Sequence, residues 1–151
     1  MQNEFFQMLK KEHEEFKGIL GKLTATKEGD PKKREELFQK LKEELVPHMK
    51  AEEIAFYPLL LAKKEAREDA LEGLEEHHVS DLVFKELEKA PKGDDQWGAK
   101  ISVFKELVEH HIKDEESKVF KSADKALNQD EFKVIMKKFD QEKQKIKKTL
   151  M

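Results

Sequence analysis

Apolar residues recur along this chain at three- and four-residue steps, the spacing of a helix with one buried face. Phe6, Leu9, His13, Phe16 and Leu20 form the first such stripe, which predicts a helix over about residues 2–23. Residues 24–30, TATKEGD, read as a loop. Asp30-Pro31 then reads as a helix cap followed by proline at the first helical position. A second stripe runs through Leu37, Leu41, Leu45, His48, Glu52, Ala55 and Leu59. Pro47 lies inside it and predicts a kink just before His48, while Pro58 bends or ends it. A third helix, over about 65–89, carries Leu71, Leu74, Leu82, Phe84 and Leu87. Its wheel does not choose between His77 and His78. After the loop APKGDDQ at 90–96, Trp97, Ile101, Phe104, Val108, His111 and Glu115 share one face of a fourth helix. Asn128 with Glu131 resembles a capping box. It opens a fifth helix over about 129–147, where Phe132, Ile135, Met136 and Phe139 are the apolar positions. The expectation is an all-α chain: an up-down-up-down four-helix bundle with an additional C-terminal helix packed outside it. One domain covers 1–151, with its four-helix core over about 2–124.

Polar residues on these apolar stripes carry the chemistry. HMKAEEIAFYP at 48–58 and HIKDEESKVFK at 111–121 share a histidine, a glutamate four residues on and a second glutamate directly after it. Positions i and i+4 of a helix lie on one face, so each segment offers an imidazole and a carboxylate side by side. A single histidine on an apolar stripe is more often an ordinary hydrogen-bonded core residue. A buried glutamate is a different matter, because a carboxylate stranded without a partner costs several kcal/mol or more. No Lys or Arg occupies the stripes beside Glu52 and Glu115. Imidazole and carboxylate together suit divalent metals. His13, His48, Glu52, His111 and Glu115, with one of His77 and His78, are therefore the candidate ligands, one group or more from each main helix. His110 points away from its stripe. Glu53 and Glu116 are candidate hydrogen-bond acceptors for ligand imidazoles, with a solvated face as the alternative. If Glu52 and Glu115 sit close together, at least one of them is expected to take up a proton when no metal is bound.

Composition narrows the rest. Charged residues are 42% and hydrophobic residues 37% of 151 positions, a mixture that suits a helical protein with one core. A net charge of −3 gives no reason to expect nucleic acid. No apolar run reaches the roughly 18 residues of a membrane span. The first residues, MQNEFFQMLKKEHEEF, lack the basic start and apolar block of a secretory signal. The chain has no cysteine, so thiolate clusters and disulfides are excluded and any metal must sit on His, Asp and Glu. Cytoplasm is the default compartment.

The order and spacing of these groups resemble the hemerythrin-like family, the HHE cation-binding domain. That pattern is a histidine on the first helix, HxxxE on the second, a histidine on the third and HxxxE on the fourth. It matches here at His13, at His48 and Glu52, at His77, and at His111 and Glu115. EEIAFYP, EEHHVSDLVFKELE and LNQDEFKVIMKKFDQEK resemble the flanking text of the family. The resemblance selects His77 over His78. It implies two iron ions joined by an oxo or hydroxo bridge: His13 and His48 on one, His77 and His111 on the other, Glu52 and Glu115 spanning both. It further implies binding or sensing of a small oxidant or gas such as dioxygen, nitric oxide or peroxide. An enzyme acting on peroxide or nitric oxide, or an iron storage or sensing protein, are the alternatives. Oxygen carriers of the family have a further histidine, as HxxxH on the third helix. Gly73 and Asp81 stand four residues before and after His77, so that fifth histidine is missing.

Overall fold

The structure, a computed structural model, describes residues 3–26 and 30–150; the expected loop at 24–30 and the start of the first helix at residue 2 lie partly outside that range. The described residues are helical nearly throughout, with no strand among them. The elements are α1 (Glu4–Thr24), α2 (Pro31–Ala55), α3 (Tyr57–Leu61), α4 (Lys64–Lys89), α5 (Asp95–Asp114), a π-helical turn (Glu115–Val119), α6 (Phe120–Ala126) and α7 (Gln129–Leu150).

Their ends follow local chemistry. Side-chain oxygens of Asn3, Asp30 and Asp94 accept from the backbone N–H of Phe6, Lys33 and Trp97, which satisfies donors that the first helical turn leaves free. Asn128 and Glu131 form the reciprocal capping box, at 2.8 and 3.0 Å, that starts α7. α2 runs through Pro47 as one element and ends at Ala55, and Pro58 stands in the first turn of α3. The π turn was not legible as such. Phe56 lies four residues after Glu52, whereas Phe120 lies five after Glu115, yet both rings are buried. A π turn takes up one extra residue and so brings Phe120 back onto the buried face.

Buried apolar side chains form two clusters. One gathers Phe5, Phe6, Leu9, Phe56, Leu60 and Phe120 with Phe132, Ile135 and Phe139 of α7. The other gathers Phe16, Leu20, Leu41, Leu45, Phe84, Trp97 and Phe104. Along the long helices the candidate ligands fall about where residues that feed one cluster give way to those that feed the other. His13 lies between Leu9 and Phe16, His48 and Glu52 between Leu45 and Ala55, and His77 between Ala70 and Phe84. The core is thus divided by a polar layer.

α7 is the additional C-terminal helix. It packs chiefly on α2, and its Phe132, Ile135 and Phe139 are part of the core. Phe139 stands edge-on to His48, with ring centroids 5.7 Å apart, and Lys143 donates to Glu12 at 2.7 Å. The fifth helix therefore closes one side of the polar layer.

Candidate metal centre

All six candidate ligands are buried and converge in that layer. Their donor atoms fall into two groups, each within 4.8 Å: His13, His48, Glu52 and Glu115, and Glu52, His77, His111 and Glu115. The two glutamates belong to both. His13 Nε2 is 3.1 Å from Glu115 Oε1, and His48 and His77 Nε2 are each 3.4 Å from Glu52 Oε1. His111 Nε2 is 3.4 Å from Glu115 Oε2. His78 and His110 are exposed and outside both groups. A third group, Glu76, His110 and Asp114, lies at the surface.

The far nitrogen of every imidazole is held by a carboxylate. His13 Nδ1 donates to Glu116 at 2.7 Å, His48 Nδ1 to Glu12 at 2.7 Å, His77 Nδ1 to Glu53 at 2.9 Å and His111 Nδ1 to Glu76 at 2.7 Å. An ionised carboxylate can only accept, so Nδ1 carries a proton and Nε2 is the nitrogen turned toward the layer. Each of these carboxylates is the chain neighbour of a different candidate ligand. Glu12 precedes His13 and serves His48; Glu76 precedes His77 and serves His111. Glu53 follows Glu52 and serves His77; Glu116 follows Glu115 and serves His13. Sequence reasoning named Glu53 and Glu116 and missed Glu12 and Glu76. The signal was present as the pairs Glu12-His13 and Glu76-His77, which mirror the two Glu-Glu pairs.

Tyr57 was also missed. It is fully buried, and its hydroxyl donates to Glu115 Oε2 at 2.5 Å. Its ring stands edge-on to His77. Gly73 is the reason it fits: a Cβ there would lie 2.8 Å from Tyr57 Cε1 and Oη. The position four residues before His77 cannot carry a side chain while Tyr57 occupies that space. Asp81, four residues after His77, pairs with Lys85 at 3.0 Å.

The electrostatics follow from this packing. Burial opposes a charged imidazole at His48, but Glu52 and Glu12 outweigh it and hold the group up at about 10. His111 is likewise lifted to about 10 by Glu115 and Glu76 against burial. His13 and His77 rise for the same kind of reason. Burial alone would raise Glu115; His111 and His13 instead pull it well below the usual carboxylate range. The neighbouring imidazoles thus favour the ionised form of Glu115. Burial and Glu115 push Tyr57 up, so it remains a phenol that donates.

Three buried oxygens, both of Glu52 and Oε1 of Glu115, have no aligned hydrogen-bond donor. The imidazole Nε2 atoms approach them closely but off the N–H···O axis. His77 Nε2 and His111 Nε2 stand 3.0 Å apart, where two lone pairs, or two N–H groups, repel unless a single proton or a cation is shared between them. Unpaired carboxylate oxygens and facing imidazole nitrogens suit a cation, and the donor set fits metal.

Together, an all-helical fold and two buried His/Glu groups that could hold metal describe a helical metal-binding protein. The profile of the Hemerythrin HHE cation binding domain matches residues 4–123, and the chain belongs to that family. Its fold is shared with the crystal structure of a Hemerythrin HHE cation binding domain-containing protein from Mycobacterium kansasii. That likeness has a TM-score of 0.82 and 22% identity and covers 99% of this chain and 90% of the other. At that identity it shows the fold alone. No curated protein matches the sequence. No helix among the described residues is long and apolar enough to cross a membrane.

Proposed function

We propose that this protein holds two iron ions and binds or senses a small oxidant or gas such as dioxygen, nitric oxide or peroxide. His13 and His48 would hold one ion, His77 and His111 the other, and Glu52 and Glu115 would serve both, with a bridge from solvent between them. The observation that carries this reading is the pair of fourfold groups sharing two buried glutamates whose oxygens lack donors. We read α1, α2, α4 and α5 as the up-down-up-down frame of the site; α1 packs on α2 and α5, and α4 on α5.

Iron would supply Lewis acidity and electrons for a small oxidant. The chain supplies the rest. Glu12, Glu53, Glu76 and Glu116 fix the tautomer of each imidazole and raise its basicity. Tyr57 fixes one oxygen of Glu115. Phe16, Val108 and Ile112 line the cavity against the site and limit water there. Four of the donors are nitrogens, more than in the carboxylate-rich di-iron bundles built on Glu-x-x-His, which favours reversible binding over oxidase chemistry.

Metal analysis of protein produced with iron, together with an optical spectrum, tests this reading. About two irons per chain, with charge-transfer absorption from an oxygen bridge to iron, is the expected result. Washed protein that carries only zinc, or one metal per chain, overturns it.

A further inference from the structure

We infer that small molecules reach the centre between α2 and α4 past Ser80, and that the Ser80 hydroxyl donates a hydrogen bond to the molecule that arrives. The inference rests on the metal-bearing reading above and adds the route and a specificity-determining residue.

Two cavities share Leu45, Met49 and Ser80 in their linings. The outer one, about 20 Å³, has Lys50, Glu53 and Asp81 at its rim and reaches His77. The inner one, about 10 Å³, lies against His13, His48, Glu52 and His111. A cavity needs roughly 10–15 Å³ to hold one water, so each accepts a molecule of water size and neither accepts an organic substrate. Ser80 stands where the two adjoin. It is only 2% exposed; Leu45 and Met49 line both cavities with it, and Phe84 and Phe104 line the outer one. Ser102 and Ser117 satisfy their hydroxyls by turning back to carbonyls of Gly98 and Lys113. No such bond holds the Ser80 hydroxyl among the described residues. A hydroxyl free to donate, set beside Leu45 and Met49 where the two cavities adjoin, is a hydrogen-bond donor for the molecule that arrives.

The rim indicates the class of that molecule. Lys50 is 3.7 Å from Glu53, and Asp81 is 3.0 Å from Lys85, so the charges at the mouth are paired. A paired rim does not steer anions. The route therefore suits an uncharged molecule of about two heavy atoms with an acceptor atom, the chemistry of dioxygen, nitric oxide or hydrogen peroxide.

The test uses Ser80→Ala and Ser80→Val in the iron-loaded full chain, with nitric oxide as the probe and stopped-flow absorbance as the readout. Iron content is measured alongside. Ser80→Ala should bind at the wild-type rate but release nitric oxide about five- to tenfold faster, the loss of one hydrogen bond. Ser80→Val fills the place where the two cavities adjoin and should slow association at least about tenfold, by blocking a passage that holds roughly one water. A second readout needs no iron: in the full chain without metal, dioxygen under pressure should speed relaxation of the Met49 methyl in the wild type and not in Ser80→Val. Wild-type nitric oxide rates in both variants at normal iron content, with a Met49 methyl that dioxygen does not reach, overturn the inference. If the chain takes up no iron while the Met49 methyl still meets dioxygen, the route stands and the metal reading fails.

Discussion

Replacing Tyr57 by phenylalanine and Gly73 by alanine, singly and together, tests how one carboxylate of the polar layer is held. Tyr57→Phe keeps the ring and deletes the bond to Glu115 Oε2, a fully buried contact of 2.5 Å. A hydrogen bond to a charged group contributes about 1.5–3 kcal/mol. Gly73→Ala acts from the other side, since its Cβ would lie 2.8 Å from the Tyr57 ring and hydroxyl. Overpacking of this kind costs about 1–3 kcal/mol, offset by about 1 kcal/mol from the better helix propensity of alanine. The displaced ring also takes its hydroxyl away from Glu115, so both single variants lose the same bond. Each single change should cost about 2 kcal/mol, or about 4–8 °C in melting temperature for a chain of this size. The double variant loses the bond once and should be more stable than the sum by about 1 kcal/mol or more, because neighbouring sites are not additive. Urea denaturation of the four metal-free proteins, followed by far-UV circular dichroism, gives the cycle directly. Additivity within about 0.5 kcal/mol, or a neutral Gly73→Ala, would refute the reasoning.

Three further outcomes follow from the geometry. His111→Ala should lose at least one metal on dialysis while the exposed His110→Ala keeps the wild-type content; equal loss in both would reject the ligand assignment. Glu12→Ala removes the carboxylate that orients His48 and should weaken metal affinity about 10–100-fold in a chelator competition, with little change in the overall fold; an unchanged affinity would mean that Glu12 does not orient the ligand. The pH dependence has a definite sign: the folded values of His48 and His111, near 10, lie above the ordinary 6.5, so their contribution to the metal-free protein is complete below about pH 6.5 and fades as pH rises toward 10. Metal requires neutral imidazoles and must displace those protons, so the melting-temperature gap between loaded and metal-free protein should widen from pH 6 to pH 9; a gap that is flat or narrows over that window would contradict it.

The elements and most of the candidate site were legible because both rest on local periodicity. A 3.6-residue repeat fixes which side chains share a face, and that alone put His13, His48, Glu52, His111 and Glu115 on buried stripes. Caps were legible for the same reason, since Asp30, Asn128 and Glu131 act within one turn of themselves. The π turn was less so, because an extra residue inside a helix looks like a change of phase rather than a signal of its own.

What the chain alone determined, then, is an all-helical protein with histidines and glutamates on its buried faces, because those properties are set by residues a few positions apart. Only the tertiary structure decided which groups meet. It put His77 rather than His78 inward, paired Glu12 with His48 and Glu76 with His111, and seated Tyr57 in the space that Gly73 leaves. It also laid α7 over the site through Phe139 and Lys143. These contacts join residues 16 to 131 positions apart, and they are selected by how the helix faces pack against one another, which a repeat within one helix cannot encode.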